Sequence, residues 1–265
     1  MPEGDTVHAT ARRLTSALGG TVLTRAELRH PRLATADLTG RVFEGARSVG
    51  KHLFLRFGGA LSLHCHLGMD GSWRVYTNRP PISYRTRAVL ATADKVALGN
   101  LLMEMALVRT PDEHRLVDHL GPDLLDPGWS DEHHAEAVRR LTADPGRELG
   151  DALLDQRLMA GLGNVYKVET CFLLRVSPWT PVAAVDAHKT VSLARELLVR
   201  NALRPVRNTT GDPRRGRETW VYGRQRHGCL RCGGPVLKAD QGTELRERIT
   251  YYCPRCQPGP GPKSG

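Results

Sequence analysis

The stretch 229–256 reads CLRCGGPVLKADQGTELRERITYYCPRC and contains two Cys-x-x-Cys pairs. The cysteines are Cys229, Cys232, Cys253 and Cys256. This spacing is typical of a four-thiolate zinc site, because each pair presents two sulfurs from one tight turn to a single tetrahedral ion. Between the pairs, the segments 236–239 and 249–252 predict two short strands. We therefore expect a β-hairpin that one structural Zn²⁺ ion clamps at its base.

The hairpin is too small to have an apolar core of its own. Metal binding, worth about 10 to 16 kcal/mol in zinc-finger peptides, would therefore supply its folding free energy. Two disulfides, or an iron ion held by the same thiolates, are the alternatives. The surrounding charge favours zinc in a nucleic-acid-binding protein: residues 200–256 contain 13 Lys plus Arg and 5 Asp plus Glu, a net charge of +8 within the +10 of the whole chain. A basic segment of this kind is typical of contact with a phosphate backbone.

The overall composition is that of an ordinary globular protein with an unusual charge. The chain has 265 residues, of which 40% are hydrophobic and 25% charged, and this length allows two domains. Its net charge of +10 favours a polyanionic partner. The sequence opens without a signal peptide and has no apolar run of the roughly 18 residues that a membrane span needs. We therefore expect a protein of the reducing cytoplasm with no membrane partner, in which Cys65 and Cys171 are buried small side chains.

The N-terminal segment places a candidate nucleophile beside an acid. Removal of Met1 before the small residue Pro2 leaves a secondary amine, which is followed directly by Glu3. A free α-amine titrates near ~7.7 to 8.0, so a useful fraction is an unprotonated nucleophile at neutral pH. The neighbouring carboxyl group supplies a proton donor. The alternative is a chain end without structure, ahead of a helix predicted at 6–18.

Residues 21–108 alternate like strands and predict a β-sandwich or a flattened barrel. The predicted strands are 21–28, 42–49, 52–57, 60–66, 72–76, 87–92 and 103–108. Lys51 stands at a hairpin, either as a solvated turn residue or as a side chain that projects towards a ligand. His64 and His66 lie on the same face of a strand. They are either packing residues of that strand or two ligands of one metal ion. Met69 lies in a tight Gly-Met-Asp-Gly loop, as a core side chain or as a wedge for a base stack.

A helical half follows a proline-containing connection at 111–127. Helices are predicted at 130–141, 147–158, 165–175 and 186–203. The join between the second and third helices, 159–164, contains two glycines and ends at Asn164. Glycine permits close backbone approach, and the free N–H groups at the start of the next helix suit a phosphate. Asn164 is therefore a candidate for phosphate binding.

Taken together, four motifs resemble the Fpg/Nei family, which comprises the bacterial formamidopyrimidine-DNA glycosylases and the endonuclease VIII enzymes. The motifs are Pro2-Glu3-Gly4, Gly50-Lys51-His52-Leu53, the run from Leu153-Leu154-Asp155-Gln156 through Gly161-Leu162-Gly163-Asn164, and Tyr252-Cys253-Pro254-Arg255-Cys256-Gln257. They span nearly the whole chain, and the endonuclease VIII-like, actinobacterial-type branch is the more similar one. The resemblance implies an α+β multi-domain fold. It has an N-terminal β-sandwich with an N-terminal helix, and a C-terminal helix-two-turns-helix domain plus a four-cysteine zinc-finger β-hairpin.

The resemblance implies the three domains, while the prolines of the connection and the Pro/Gly-rich composition of the last residues predict the linker and the tail. These segments are a catalytic β-sandwich domain at 1–110, a linker at 111–127, a helix-two-turns-helix domain at 128–218, a zinc finger at 219–257 and a disordered tail at 258–265.

The activity that the resemblance implies is that of a bifunctional DNA glycosylase and AP lyase of base excision repair. Pro2 would attack C1′ of a damaged nucleotide and form a Schiff base, while Glu3 protonates the sugar ring. Lys51 would contact the DNA phosphate and serve β-elimination. Arg248 would donate the proton for δ-elimination.

The resemblance further implies how the DNA is held. Asn164 and Arg248 would grip the phosphates of the flipped nucleotide, and Met69 would fill the void that the base leaves. Gly4, found where the purine-specialised branch carries Leu, and a short segment at 209–222 favour oxidised pyrimidines as substrates. We expect a monomer associated with the nucleoid. Its expected partner is damaged double-stranded DNA, and single-stranded DNA is the alternative. The alternative is a non-catalytic zinc-dependent DNA- or RNA-binding protein, because the metal hairpin and its basic arm suit that function too.

Overall fold

The chain forms two compact units, at 1–119 and 120–265. The computed structural model describes residues 2–78, 80–242 and 248–262. The division between the units falls within 111–127, the stretch that the sequence indicates as a connection. Within the described ranges, no helix has both the length and the apolar character that crossing a membrane requires.

The first unit is a β-sandwich preceded by a helix. Helix α1 spans Gly4–Leu18, and the strands are β1 Thr21–Val22, β2 Arg25–Leu28, β3 Val42–Val49, β4 His52–Phe57, β5 Leu61–His66, β6 Ser72–Tyr76, β7 Thr86–Ala91, β8 Val96–Asn100 and β9 Glu104–Arg109. One sheet has the order β1-β3-β4-β5-β9 and the other the order β2-β7-β8-β6. Neighbouring strands in both sheets pair antiparallel. The sandwich predicted from the alternating pattern is therefore confirmed.

A single apolar core holds helix α1 and both sheets together. Alternate residues of a strand point to opposite faces, so every second residue of β4 and β5 reaches this core. The contributing residues from α1, β4 and β5 are Val7, Ala11, Leu14, Leu18, Leu53, Leu55, Phe57, Leu63 and Cys65. Burial raises the pKa of the Cys65 thiol to about 12, as it does for Cys171 in the second unit, so both are unreactive packing residues as the sequence predicts.

The structure departs from the predicted strands in two places. The predicted strand 21–28 divides, because Leu23 N donates to Arg41 O whereas Thr24 N donates to Ala91 O, and the chain thereby changes sheets. Strand β8 was not predicted from the sequence. It contains Gly99, where a Cβ would lie 2.8 Å from a Leu102 methyl carbon, so the close packing requires glycine. Glycine is rare in strands, and its presence weakens the sequence pattern that would predict one.

The outer face of the five-stranded sheet carries polar side chains around a buried carboxylate. Glu113 lies on a short 3-10 helix, Thr110–Leu116, and its side chain is 2% exposed. It accepts hydrogen bonds from Arg56 at 2.9 and 2.7 Å and from Ser62 Oγ at 2.5 Å, and Arg47 lies 3.0 Å away. Burial alone raises the pKa of Glu113, but the hydrogen bonds from Arg56 and Ser62 outweigh it and the pKa lies below its ordinary value. This cluster fixes the 3-10 helix on the sheet.

The second unit is helical and ends in a two-stranded hairpin. Its elements are α2 Asp131–Thr142, α3 Leu149–Leu154, α4 Asn164–Leu174, a 3-10 helix Val182–Ala184, α5 Ala187–Ala202, β10 Leu237–Gln241 and β11 Arg248–Tyr252. Ser130 and Asp186 cap α2 and α5 by accepting from backbone N–H groups. The second predicted helix, 147–158, is shorter in the structure because the chain turns at Asp155.

The chain after the hairpin folds back onto the helical part of the same unit. Ser177 N donates to Pro258 O, and Ser177 Oγ donates to Pro260 O. Gln257 Nε2 donates to Val176 O at 3.0 Å. The first residues of the segment that the sequence predicts as a disordered tail are thus hydrogen-bonded, whereas 263–265 lie outside the described residues.

Candidate active site and metal centre

The N-terminal segment holds a buried carboxyl group at the start of helix α1. Pro2 is half-buried, and Glu3 is fully buried as the N-cap residue of the helix. The Glu3 carbonyl accepts from Thr6 N and Val7 N, each at 3.0 Å, so the helix start fixes the backbone at Glu3. Glu3 directly follows Pro2 in the chain, so the buried carboxyl group belongs to the residue next to the candidate nucleophile.

Lys51 lies in a two-residue turn between β3 and β4. Val49 and His52 face each other across the turn, and Gly50 adopts φ 56°. A positive φ at the first central residue suits a tight hairpin, and glycine adopts it without strain. The predicted hairpin position of Lys51 is confirmed by this register.

Met69 lies at the tip of a tight loop in the same unit. Gly71 N donates to Leu67 O at 2.8 Å, and a Cβ at Gly71 would lie 2.1 Å from that oxygen, so the loop requires glycine there. Met69 is 55% exposed, which excludes a core role for this side chain. Met103 is 63% exposed and lies against Gly68, so a second methionine stands beside the loop.

The turn between α3 and α4 is shaped by two polar side chains. Gln156 Nε2 donates to Leu154 O and Leu162 O, each at 2.9 Å, and its Oε1 accepts from Gly161 N at 3.0 Å. Asp155 accepts from Arg157 and Arg147, and the Arg157 hydrogen bonds hold the pKa of Asp155 below its ordinary value. The turn is therefore preorganised before any ligand arrives.

Asn164 stands where this turn enters α4 and touches the hairpin of the same unit. Its Nδ2 donates to Ile249 O at 2.8 Å, while its Oδ1 is buried without a hydrogen-bond partner among the described residues. Arg248, the residue before Ile249, is exposed and faces Gln241 across the hairpin. The structure thus brings Asn164 and the backbone at Arg248 together. Pro2, Glu3, Lys51 and Met69 belong to the first unit.

The four cysteines at the base of the hairpin form a metal-binding cluster. All four Sγ atoms lie within 4.8 Å of one another, with Cys229 and Cys256 at 3.8 Å and Cys232 and Cys253 at 3.6 Å. A disulfide would bring two sulfurs to about 2.05 Å. Four sulfurs about 2.3 Å from a central ion lie about 3.8 Å apart. The spacing fits a tetrahedral ion and excludes the two-disulfide alternative. Among the described residues, His64 and His66 do not join any such group.

The metal knuckle, which is the turn at 229–232, packs on helix α4. The Arg231 guanidinium carbon lies 4.3 Å from the ring centroid of Phe172 and 5.3 Å from that of Trp220. Cys229 and Cys253 join Phe172 in one buried apolar cluster. The position of the hairpin therefore depends on the knuckle that carries the sulfurs.

Two buried charged residues of α4 were not predicted as part of this arrangement. Lys167 is fully buried and its Nζ donates to Thr250 Oγ1 on β11. Glu169 is fully buried and accepts from Trp220 N at 2.8 Å and from Val221 N at 3.0 Å. A charged residue inside the otherwise apolar run 164–174 is the signal that would have identified both.

The fold and the site define a class of protein: a β-sandwich unit with a buried acid at its N-terminus, and a helical unit with a four-thiolate metal centre. Residues 1–100 match the formamidopyrimidine-DNA glycosylase N-terminal domain, and residues 120–208 match the formamidopyrimidine-DNA glycosylase H2TH domain.

Full-length relatives are also found. A Streptomyces coelicolor protein named probable endonuclease 8 2 is 52% identical over 272 residues, covering 100% of this chain and 97% of the relative. The Mycolicibacterium smegmatis DNA-(apurinic or apyrimidinic site) lyase Nei2 is 48% identical, with 97% and 99% covered. The chain belongs to the family of formamidopyrimidine-DNA glycosylases and endonuclease VIII enzymes, and the predicted resemblance is confirmed.

A solved structure shares the fold. The complex between Lactococcus lactis Fpg and a DNA containing an abasic site has a TM-score of 0.80 and 24% sequence identity, covering 97% of this chain and 100% of that chain. The predicted α+β architecture is confirmed by this similarity and by the elements described above.

Proposed function

We propose that the protein is a bifunctional DNA glycosylase and AP lyase of base excision repair, which removes oxidised bases, with pyrimidines favoured, and then cuts the strand. The observation that carries the proposal is the fully buried Glu3 directly after Pro2, in a chain 48% identical to a DNA-(apurinic or apyrimidinic site) lyase. Double-stranded DNA containing a lesion is the proposed partner of a monomer, and the proposed location is the cytoplasm, at the nucleoid.

The first chemical step is displacement of the damaged base. The Pro2 amine, free once Met1 is removed, forms a bond to C1′ while the bond between C1′ and the base breaks, and the departing base takes up the proton that the amine nitrogen loses. Glu3 protonates the ring oxygen of the sugar, which opens and leaves an iminium ion on C1′. Burial of Glu3 keeps bulk water away from the place where it transfers its proton to the sugar.

The second step is strand cleavage. The iminium ion makes the C2′ proton acidic, and its removal expels the 3′ phosphate in β-elimination. A further elimination expels the 5′ phosphate. Lys51 is proposed to contact the phosphate and to assist the first elimination, and Arg248 to donate the proton of the second.

Three further side chains are proposed to contact the DNA. Asn164 and Arg248 bind the phosphates of the flipped nucleotide, and the exposed Met69 fills the space of the extruded base. The Asn164 amide has a donor beyond the one that Ile249 O accepts, so it can bind a phosphate without leaving the hairpin.

The proposed metal is one structural zinc ion. It lies in the zinc finger, for which we propose the bounds 219–257, and the finger follows a helical domain at 128–218. The four sulfurs have the spacing of a tetrahedral site, and four thiolate ligands leave no position open for water. Its role is therefore to fold the hairpin that carries Arg248, and no chemical step depends on it.

Borohydride trapping on a duplex with one abasic site tests this function. We expect a covalent complex whose link maps to the Pro2 nitrogen by mass spectrometry. The matched control carries one additional residue before Pro2, which turns the amine into a non-nucleophilic amide and leaves every side chain in place. If both forms trap equally, or neither does, the lyase proposal fails. A protein that binds DNA but never traps would be the non-catalytic binder.

Replacing Arg248 by Ala is expected to weaken DNA binding by about tenfold or more, since a charged hydrogen bond to phosphate is lost. The slope of log K against log salt concentration should become shallower by about 1. Fluorescence anisotropy at several salt concentrations measures both. Arg139→Ala, which removes the same charge from an exposed ion pair with Glu136, is the control and should leave the slope unchanged. An unchanged slope for Arg248→Ala would remove Arg248 from the phosphate contacts.

A further inference from the structure

The outer face of the five-stranded sheet carries a cluster of histidines next to Lys51. His52 lies opposite His66 in the β4–β5 register, and His64 is the next residue of β5 on that face. The rings of His52 and His64 stack with centroids 5.1 Å apart, and His66 meets His52 edge-on at 5.5 Å. His119, which follows the 3-10 helix, meets His52 edge-on at 6.1 Å.

A hydrogen bond joins two of these rings. His52 Nδ1 and His64 Nε2 are 2.9 Å apart. Such a contact needs one nitrogen with a proton and one without, so at most one of the two rings can be an imidazolium ion. A second proton would set two donors against each other and break the bond.

The surroundings oppose protonation of the pair. Burial lowers the pKa of His52 to about 3, with further lowering by His64, His66, His119 and Lys51. Burial likewise lowers the pKa values of His64 and His66, against an opposing effect of Glu104.

The other charged groups near the pair come from each neighbouring element. They are Arg47 on β3, Glu104 on β9, Glu113 on the 3-10 helix and Lys51 in the turn. Helix α1 joins the core on the opposite face of the sheet. The charged neighbours of the pair therefore include the cation Lys51 at the turn and carboxylates on β9 and on the 3-10 helix.

The pair also determines where the turn sits. His52 is the residue after Lys51, and it closes the Gly50-Lys51 turn by pairing with Val49. Its imidazole is anchored to the next strand through His64, which is 5% exposed. Loss of the anchor would release the first residue of β4, to which Lys51 is bonded.

We propose that His52 and His64 are positioning residues for Lys51, and that they keep the Gly50-Lys51 turn in place only while they share no more than one proton. The proposal rests on the function proposed above, in which Lys51 contacts the phosphate. The stability that the pair gives the turn is complete above about pH 6.5, the ordinary pKa of histidine. It is lost progressively between that value and about pH 3, to which the pKa of His52 is lowered in the folded protein.

Two variants separate the hydrogen bond from its titration. His52→Phe keeps an aromatic ring against His66 and His119 but removes the bond. The double variant His52→Asn with His64→Gln places amide groups near the same two nitrogens, so it keeps a hydrogen bond that does not titrate. His188→Phe is the control, because it removes the same kind of histidine–histidine hydrogen bond from an exposed stacked pair, His134 and His188, in the other unit.

The first readout is strand cleavage on an abasic-site duplex between pH 5 and 8. At pH 7.5, His52→Phe should cleave about tenfold more slowly, since a small misplacement of an assisting group is costly, whereas the double variant and the control should match the unchanged protein. Protonation of the Pro2 amine slows all of them at low pH, so rates are compared as ratios. The ratio of the double variant to the unchanged protein should rise severalfold towards pH 5. A flat ratio, or full activity of His52→Phe, overturns the proposal.

The second readout does not need activity. In the free protein, the NMR signals of the Gly50 and Lys51 amides should shift with pH together with the His52 and His64 ring nitrogens, and the double variant should lack this shift. Amide signals independent of the ring nitrogens overturn the positioning role. If the unchanged protein shows no cleavage while the signals move together, the proposed function fails and the positioning of Lys51 stands.

Discussion

Replacing Glu3 by Gln is expected to slow release of an oxidised base by about 10² to 10⁴-fold, the usual contribution of a positioned general acid. The substitution keeps the size of the fully buried side chain and removes only the proton it donates to the sugar. An abasic site has no base to expel, and its ring opens spontaneously. Covalent trapping on a preformed abasic site should therefore fall much less than excision.

Single-turnover assays with an oxidised pyrimidine and with an abasic site measure this difference. Glu44→Gln, which neutralises an exposed carboxylate on β3, should leave both rates unchanged. Equal losses on the two substrates would show that Glu3 does not act in base release, and no loss on either would remove it from the mechanism.

Removing the metal is the second change with a large expected effect. Metal binding to such hairpins is worth about 10 to 16 kcal/mol, comparable to the whole stability of a typical domain at about 5 to 15 kcal/mol, so Cys253→Ser or chelation should unfold the hairpin. Strand β11 carries Arg248 and accepts the Asn164 hydrogen bond at Ile249. DNA affinity should therefore fall at least a hundredfold, while the β-sandwich unit stays folded.

These effects are measured by metal analysis, by the NMR signals of 229–256 and by DNA titrations. Cys65→Ala removes a thiol outside the cluster and should leave one metal ion per chain. A metal-free protein with intact hairpin signals and unchanged affinity would contradict the structural role of the ion. Elemental analysis also decides between zinc and iron.

The sequence predicts those parts of the molecule whose signals are local. Strands 42–49, 52–57 and 72–76 have the predicted bounds, because alternating apolar residues end at turn residues. The cysteine spacing likewise predicts the metal cluster. The function of Gln156 was not predicted, since its three hydrogen bonds depend on a turn that exists only in the folded unit.

Contacts between distant segments are the part that the sequence does not reveal. The stacking of Arg231 on Phe172 joins the knuckle to a helix some 60 residues earlier in the chain, and neither residue type specifies the other. The His52 and His64 pair depends in the same way on strand register. A pattern of periodicity predicts that these residues lie on strands, and only the pairing shows that they meet.

The edges of the sandwich have a consequence for how copies of the protein behave when crowded. An exposed strand edge is a template on which another chain can pair and aggregate. Here β1 spans only Thr21–Val22, and β2 carries Arg25 and Glu27, which are 52% and 39% exposed and form an ion pair. Short and charged edges of this kind resist edge-to-edge aggregation, so β1 and β2 offer a second copy of the chain little to pair with.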